Sequence, residues 1–498
     1  MRFPLLLVLF LFSIAVLKAQ QYEDGQGVWL KGDFHVHSTG ASNDTGGDSY
    51  VKSIKEKGQE RGLYFVVLTD HSNSTGSDVS TTEEDPTLFN MGNEFPQWDS
   101  ARILTETGKF IMVCGNEISP IVEGEVPLTA TGHIGCVPRS LNPEEFDTTG
   151  VFIDRPRGSV SGADVLEQSN NRGAFSIINH PYSPTPWISY DWTNLTDYHG
   201  MEVWNGTGGW DPFDEMGYNL WRTDLLQGKR ITPVGGSDNH RVNKEVALFP
   251  PDLLNPALGF PTTSVFAKDS TWEGIVEGLN LGWVCIHEGE SFLSITPLND
   301  AGEYTEKTDF TAFRLRGKLD ERAPIPFTLQ LRNAISAIDQ RPYYGTTEVL
   351  EIIPYSSIIQ PGESFDVEVP VLSNLGLFTA TLLPSAPLSA GNETHYVALS
   401  RAVLGSSLTN RVENQVPEEF FKLASGQDAI HVKFRAAVSE EVEIHLFSQN
   451  GMELKKETMK ANGKLQSISY SNLKPGLYII RLNYSGSKKS FARRIMLF

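Results

Sequence analysis

Six short stretches of this chain end strand-like apolar runs with histidines and carboxylates. They are Asp33-Phe34-His35-Val36-His37, Thr69-Asp70-His71, Gly115-Asn116-Glu117, Gly132-His133, Asn179-His180-Pro181 and Gly235-Gly236-Ser237-Asp238-Asn239-His240. On an extended strand the side-chain period is two, so His35 and His37 aim both imidazoles at one face, where one metal can take both rings. The remaining candidates are far apart in sequence, which points to a cavity assembled by a fold rather than by one compact finger-like loop. A single histidine of this kind is ordinarily a hydrogen-bonded core residue. Six of them in a strand-end series argue for ligands.

Imidazole and carboxylate donors together suit Zn, Mn or Fe, whereas all-oxygen cages suit Mg or Ca. Glu117 is the candidate bridging ligand, because its two oxygens can bind separate cations. Two cations ~3.5–4 Å apart would hold a hydroxide between them and stabilise both attacking and leaving oxygens.

From Val28 to about Ala267, strand-like runs alternate with helical segments, the pattern of βα units around a parallel sheet. The expected strands are Trp29 to Val36, Leu63 to Thr69, Phe110 to Glu117, His133 to Val137, Ala174 to Asn179, Met201 to Trp204 and Ile231 to Gly235. The expected helices are Tyr50 to Gly62, Gln97 to Gly108, Ala163 to Arg172, Met216 to Gly228 and Trp272 to Leu281. Most ligand candidates then fall at the C-terminal ends of strands, the rim where a β/α barrel builds its active site. Beyond about Ser291 the texture becomes period-two alternation, as in Phe327-Thr328-Leu329-Gln330-Leu331, with turns such as Gln360-Pro361-Gly362. This predicts a β-sandwich-like accessory domain over 291–412. From 418 to 498, Asn450-Gly451 and Pro475-Gly476 separate alternating strands and predict a second β-sandwich-like domain built of hairpins.

Residues 1–19 read as a secretory signal peptide: Arg2, an apolar run from Leu5 to Leu17, then Lys18-Ala19. No other apolar stretch approaches the ~20 residues of a membrane helix, so the mature chain is expected to be soluble. With 41 basic and 61 acidic side chains the formal charge is -20, which disfavours nucleic acid as a bulk partner. The three cysteines, Cys114, Cys136 and Cys285, sit among apolar residues and read as buried free thiols, with a Cys114–Cys136 bridge open if their strands pair.

As an ordered set, the motifs between Val28 and about His287 resemble those of the PHP family, the polymerase and histidinol phosphatase metallohydrolases. The resemblance implies a distorted, seven-stranded β/α barrel over 28–290. It implies one metal on His35, His37, Glu117 and Asp238, a second on Glu117, His133 and His180, and a third on His71, His240 and an acidic residue after the first motif. Asp44 is chosen for that acid and Asp48 held in reserve, because the loop Ser42-Asn43-Asp44-Thr45-Gly46-Gly47-Asp48 departs from the family's usual Asp-Gly. The implied cofactors are two or three divalent ions (Zn, Mn or Fe), and the implied reaction is attack of a metal-bound hydroxide on a small-molecule phosphoester, with Asp238 or His240 managing protons. The alternatives are cleavage of a carboxylic ester or carbamate at the same site, or a non-catalytic surface binding module that keeps metal as a clamp.

Glu202-Val203-Trp204-Asn205-Gly206 looks like the corresponding strand of the PHP branch that includes the CehA/McbA carbaryl hydrolases, which would put Asn205 near the rim. Asp33 and Asp70 flank ligand histidines and either bind the distal ring nitrogens or face solvent. Tyr182 to Trp187 and Trp192 form an aromatic loop suited to wall a pocket, and Arg139, Arg172, Arg222 and Arg241 are the basic residues nearest the motifs. The final segment, especially Leu473-Lys474-Pro475-Gly476-Leu477-Tyr478-Ile479-Ile480, resembles the C-terminal sorting domain of type IX secretion. It implies export across both membranes and engagement of the secretion machinery or attachment at the cell surface.

Overall fold

Strand β1 (Val28–Val36) sorts its side chains by parity. Leu30, Phe34 and Val36 join apolar clusters with Ile54, Ile275 and Leu279, while Asp33 and His35 take the opposite face, as does His37 just beyond the strand. The computed structural model describes residues 27–39, 41–42, 45, 47–71, 97–120, 132–142, 161–182, 195–206, 210–243, 256–305, 307–338, 348–371, 374–388, 395–405, 421–425, 429–434, 441–448, 453–460, 466–474, 476–484 and 489–497. The leader at 1–19, Asp44 and the aromatic loop beyond Tyr182 lie outside the described residues. The chain divides into two units, 1–410 and 411–498.

In the first unit β1 is followed by α1 (Val51–Glu60), β2 (Phe65–Leu68), α2 (Gln97–Leu104), β3 (Ile111–Cys114), β4 (Asn116–Ile118), β5 (His133–Pro138), α3 (Gly162–Asn171), β6 (Ala174–Asn179), β7 (Gly200–Asn205), α4 (Pro212–Leu226), β8 (Thr232–Gly236), β9 (Thr262–Ala267), α5 (Trp272–Asn280) and β10 (Val284–His287). Then come β11 (Phe292–Leu298), β12 (Ala312–Lys318), β13 (Phe327–Ile338), β14 (Glu348–Ile359), β15 (Ser364–Pro370), β16 (Leu377–Pro384), β17 (Ala398–Ser400) and β18 (Val403–Leu404). The unit is mixed α/β and mostly strands.

One sheet runs β14-β13-β16-β17-β10-β9-β1-β2-β3, with β18 on β16, and a second runs β4-β5-β6-β7-β8. They meet at two seams. At the first, Asp238 donates its N–H to the His35 carbonyl (2.8 Å) and His37 donates to the Asn239 carbonyl (3.0 Å). At the second, the chain crosses from β3 to β4 through Gly115, whose N–H reaches the Leu68 carbonyl at 2.8 Å, and Glu117 donates to Asp70 (3.1 Å).

Two sequence expectations change here. The strand expected over Phe110 to Glu117 is two strands in different sheets, broken at Gly115, where a Cβ would come within 2.6 Å of the Cys136 carbonyl oxygen. The parallel pattern holds for β1-β2-β3 and β6-β7-β8, but β5 pairs antiparallel with both β4 and β6, and β9 runs antiparallel to β1. A period-two pattern does not encode strand direction. All three cysteines are free and buried, and burial pushes Cys136 and Cys285 up to about 12.

Strands β11-β12-β15 form a three-stranded sheet, whose Leu293, Phe313, Leu315 and Val369 pack with Leu329, Phe378 and Leu382 of the long sheet. The accessory strands are therefore sandwich-like, yet one of their two sheets continues through β17 and β10 into the sheet that carries β1. The second unit is itself two-layered: β19 (Phe421–Ser425), β20 (Ala429–Phe434) and β23 (Gln466–Ser471) form one sheet. Strands β21 (Glu441–Ser448), β22 (Glu453–Lys460), β24 (Gly476–Tyr484) and β25 (Lys489–Leu497) form the other. Ile430, Val432, Val442, Ile444, Ile480 and Leu482 fill its core. Among the described residues no helix is long and apolar enough to cross a membrane.

Asp320, in the turn after β12, fastens the loop between β10 and β11. It accepts from the Glu290 and Arg322 N–H groups (both 2.8 Å) and from the Arg322 guanidinium at 2.7 and 3.0 Å. Burial opposes its ionisation, but the Arg322 bonds and the two backbone donors win and hold it at about 2, against an ordinary 3.8. A depressed carboxyl contributes stability above its unfolded pKa that is lost as pH falls through the folded one. Arg322 is more than half exposed, so solvent screening limits this to about 1–2 kcal/mol. Asp320→Asn is expected to lower the urea midpoint at pH 7, with the difference from wild type shrinking between pH 4 and pH 2.

Candidate metal centre

Glu117 is the hub. Its Oε1 lies 3.2 Å from His35 Nε2, 3.1 Å from His133 Nδ1 and 3.1 Å from His180 Nε2, and its Oε2 lies 3.5 Å from His37 Nε2 and 3.4 Å from His71 Nε2. Asp238 supplies the second carboxylate, with Oδ1 at 3.3 Å from His35 Nε2, 3.1 Å from His37 Nε2 and 3.6 Å from His240 Nδ1. The two seams make this convergence: the first brings the β8 end to β1, and the second turns Glu117 inward under β2. Gly236 is required at the first seam, since a Cβ there would stand 2.3 Å from the His35 Cβ and 2.6 Å from Glu202 Oε1.

The outer nitrogens of two rings are tied to the protein. His35 donates Nδ1–H to Glu202 Oε1 (3.0 Å). His37 Nδ1 bonds Ser42 Oγ (2.9 Å), and that hydroxyl donates to Asp70 Oδ1 (3.0 Å). Their Nε2 atoms face inward, 3.1 Å apart. Four donors held 2.0–2.1 Å from a tetrahedral ion stand ~3.3–3.4 Å from one another, close to the separations seen here. The donor set and its spacing fit divalent transition metals. Among the described residues, three groups bring ligand atoms within 4.8 Å: His37, His71 and His240; His35, His37 and Asp238; and His35, Glu117 and His180.

His180 (φ 23°) and Asp238 (φ 56°) adopt left-handed backbone conformations that residues with a Cβ seldom take. Such strain persists where surrounding contacts enforce it, commonly at functional sites. Here the enforcers are Glu202 Oε2, which accepts the His180 N–H at 2.8 Å, and the His35 carbonyl, which accepts that of Asp238.

The charges are interdependent. Burial alone would raise Glu117, but His133 and His35 outweigh it and hold the carboxyl well below its usual range. Burial likewise opposes ionisation of Asp238, and His35 and His37 reverse it. Burial disfavours a charged His35, yet Glu117, Asp238 and Glu202 raise it well above its ordinary value, and Glu117 does the same more mildly for His180 against the same opposition. His37 is lowered by burial and by neighbouring His240. The cavity thus holds anionic carboxylates that require positive charge, from protons or from metal.

Of the residues expected from sequence, the structure brings His35, His37, His71, Glu117, His133, His180, Asp238 and His240 together. Asp48 is part of none of the three ligand groups among the described residues. Asp33 and Asp70 are both buried rather than facing solvent. Asp33 accepts from the backbone of His35, Ser237 and Gly259, joining β1 to the end of β8, and Asp70 acts on His37 through Ser42. Asn205 ends β7 beside the cluster and is buried there; its Nδ2 donates to Glu202 Oε2 (3.2 Å) and Asp238 Oδ2 (3.4 Å). Arg139 and Arg222 are engaged elsewhere, Arg139 over Phe175 and at Asn280, Arg222 between Glu351 and Asn219. Sequence reasoning missed Glu202 and Ser42. Glu202 stood in the stretch Glu202 to Gly206, but its neighbours in sequence gave no hint of a partner on β1.

Residues 426–497 match the secretion system C-terminal sorting domain. That domain marks the protein for type IX secretion to the cell surface or the extracellular space. No curated protein matches the chain. Among solved structures, a two-domain protein from Bacteroides vulgatus containing a predicted PHP-like metal-dependent phosphoesterase is similar at 16% identity over 75% of this chain and 95% of that one, with TM-score 0.39. The lesion-specific endonuclease Q of Pyrococcus furiosus is similar at 15% identity over 56% of this chain and 64% of that one, with TM-score 0.33. Likeness this loose assigns neither activity nor substrate, so the chemistry has to come from the side chains.

Glu202→Gln replaces an acceptor of three bonds with an amide that presents an N–H to His35, His180 or Asn205. Loss of a partner that orients a ligand histidine typically costs 10–100-fold in metal affinity. That loss is expected in competition with a chromogenic chelator, with circular dichroism unchanged. Metal uptake should also displace the protons that Glu117 and Asp238 retain on His35 and His180. Calorimetry at pH 7 in buffers of differing ionisation enthalpy is expected to show proton release, and apparent affinity should climb as pH rises through the range where these histidines deprotonate.

Proposed function

We propose that the first unit carries a PHP-type distorted β/α barrel over 28–290, closed by the two seams, and that the protein is a secreted metal-dependent hydrolase of phosphoesters. The observation that carries the reading is the arrangement of five imidazole nitrogens around the two oxygens of buried Glu117. The ligands are His35, His37, His71, Glu117, His133, His180, Asp238 and His240. Asp44, the acid proposed to complete a third site, lies outside the described residues.

An imidazole nitrogen has one lone pair, so His35 and His37 each serve one cation at a time. The two groups without a shared residue, His37-His71-His240 and His35-Glu117-His180, would each hold one ion of Zn, Mn or Fe, with Asp238 as a further ligand. This partition separates His35 from His37, unlike the one implied by family resemblance. A divalent ion supplies a Lewis acid and lowers the pKa of water from 15.7 toward ~7.

The chain's own residues do the rest. Glu117 and Asp238 fix the charge of the cavity, and Glu202 and Ser42 fix the orientation of the His35 and His37 rings. His240 is the most exposed member, its side chain about 29% accessible. Its Nδ1 faces the Asp238 carbonyl at 2.8 Å, which as a donor bond leaves Nε2 with the lone pair. In hydrolysis a water oxygen bonds to phosphorus, the ester P–O bond breaks, the water's proton passes to a carboxylate oxygen of Asp238, or to His240 where its Nε2 holds no ion, and a proton returns to the leaving oxygen. The strong negative charge of the chain favours small phosphoesters over nucleic acid. Carboxylic esters or carbamates are the second reading, favoured by the engagement of Arg139 and Arg222 away from the site. A non-catalytic metal-clamped surface module is the third. Membership of the CehA/McbA branch rests on the Glu202 to Gly206 stretch alone.

Metal-loaded protein is expected to hydrolyse aryl phosphates and to turn over aryl acetates more slowly. Equal or greater ester turnover would favour the second reading, and inertness to the panel the third. Glu117→Gln is expected to lose both metal and activity. His240→Gln is expected to lower kcat by ~10²–10⁴, with metal analysis still finding the ion of the His35-Glu117-His180 group.

A further inference from the structure

Away from the histidines, a cleft of about 370 Å³ opens where β9, α5 and the start of β10 face β11 and β12. Phe266 forms part of its wall and is the ladder partner of Trp29. Trp29 lies six residues before His35 on β1, which at ~3.3 Å per residue puts the cleft about 20 Å from the metal-ligand cluster. It is a separate place on the molecule. Its volume lies within the range of small-molecule sites, which are mostly apolar with a few placed polar groups.

The walls have that composition. Leu281, at the C-terminal end of α5, leaves 58% of its surface exposed. Trp283 is half-buried, with Phe266 tilted against its ring at 5.1 Å and Tyr304 edge-on at 6.1 Å. Across from these, Arg314 and Arg316 share one face of β12, two residues apart. Both bond Asp366 of β15: Arg314 through two nitrogens at 2.7 Å, Arg316 through Nε at 3.1 Å. Lys268 adds a third cation, paired with Glu277 at 2.6 Å. The Arg401 guanidinium lies 5.1 Å over the Trp283 ring. Three cations and one carboxylate therefore line an aromatic cleft on a chain of formal charge -20.

We propose that this cleft is a binding site for a small ring-bearing anion, a carboxylate or phosphoryl group on an apolar ring. The ring packs against Leu281, Trp283 and Tyr304, and the charge faces Arg314 and Arg316, whose planar guanidiniums suit such oxyanions. Few hydroxyl or amide groups line the cleft, so a polyhydroxylated neutral sugar would leave its own polar groups without partners.

The test uses the full-length protein, metal-stripped with chelator, titrated by calorimetry with phenylphosphonate, which has no ester bond to cleave. Benzyl alcohol is the ring without charge, and inorganic phosphate the charge without ring. Phenylphosphonate is expected to bind at least tenfold more tightly than either. Arg316→Gln, which leaves Asp366 its two bonds from Arg314, and Leu281→Asp, at an exposed position, are each expected to weaken it tenfold or more. Glu117→Gln is expected to leave it unchanged, so the outcome is independent of whether the protein is a hydrolase. Equal binding of benzyl alcohol or of phosphate, or indifference to both cleft variants, would overturn the proposal.

Discussion

Two ionised carboxylates, Glu117 and Asp238, sit almost wholly out of water, and the first unit's architecture can be understood as the means of keeping them there. An isolated buried carboxylate is costly enough that it ordinarily takes a proton instead. Here the compensation is six imidazoles whose nitrogens lie 3.1–3.6 Å from one or other carboxylate. No single element could supply them. The His35-His37 pair comes from β1, His71 follows β2, His133 opens β5, His180 follows β6 and His240 follows β8. Every strand end must stop at the right depth for the charges to balance.

That depth is set by ordinary packing and by a few special contacts. Gly236 permits β8 to lie against His35, and Gly115 lets the chain change sheets so that Glu117 points inward. Around the ligands runs a set of supporting bonds: Glu202 to the His35 ring and the His180 backbone, Asn205 to Glu202 and Asp238, Ser42 to His37 and Asp70. Asn205 is itself held by Asp214 Oδ1 on its N–H (3.0 Å), and Asp214 belongs to the capping box that starts α4 with Asp211. Helix α4 is gripped further along by the accessory strands, through Arg222 and Arg332 on Glu351 and through Tyr218 on Thr379. A continuous path of bonds therefore joins the accessory sheet to the ligand shell.

The convergence of histidines and carboxylates was readable in the sequence because no packing requirement produces these side chains at strand ends six times over. The helices were readable within a few residues, since amphipathic spacing and caps such as Ser161–Asp164 are local. The break at Gly115, the antiparallel course of β5, and the continuation of the β1 sheet into β17 and β16 were not readable. They depend on which strand edges find each other, and alternating apolar residues look the same in either direction. Glu202 shows the same limit at the level of one residue: an acid on a buried strand is informative only once its partner is known to be His35, 167 positions away.

The sequence by itself determined the donor atoms, the sorting segment at the C-terminus and the parity that puts His35 and His37 on one face, because each depends on residue identity or on neighbours a few positions apart. Tertiary structure alone decided which donors share a neighbourhood, that Asp33 and Asp70 brace backbone and hydroxyl groups, and that a cationic aromatic cleft lies about 20 Å from the histidines. These follow from distances between segments hundreds of residues apart, and such distances are fixed only when the sheets close.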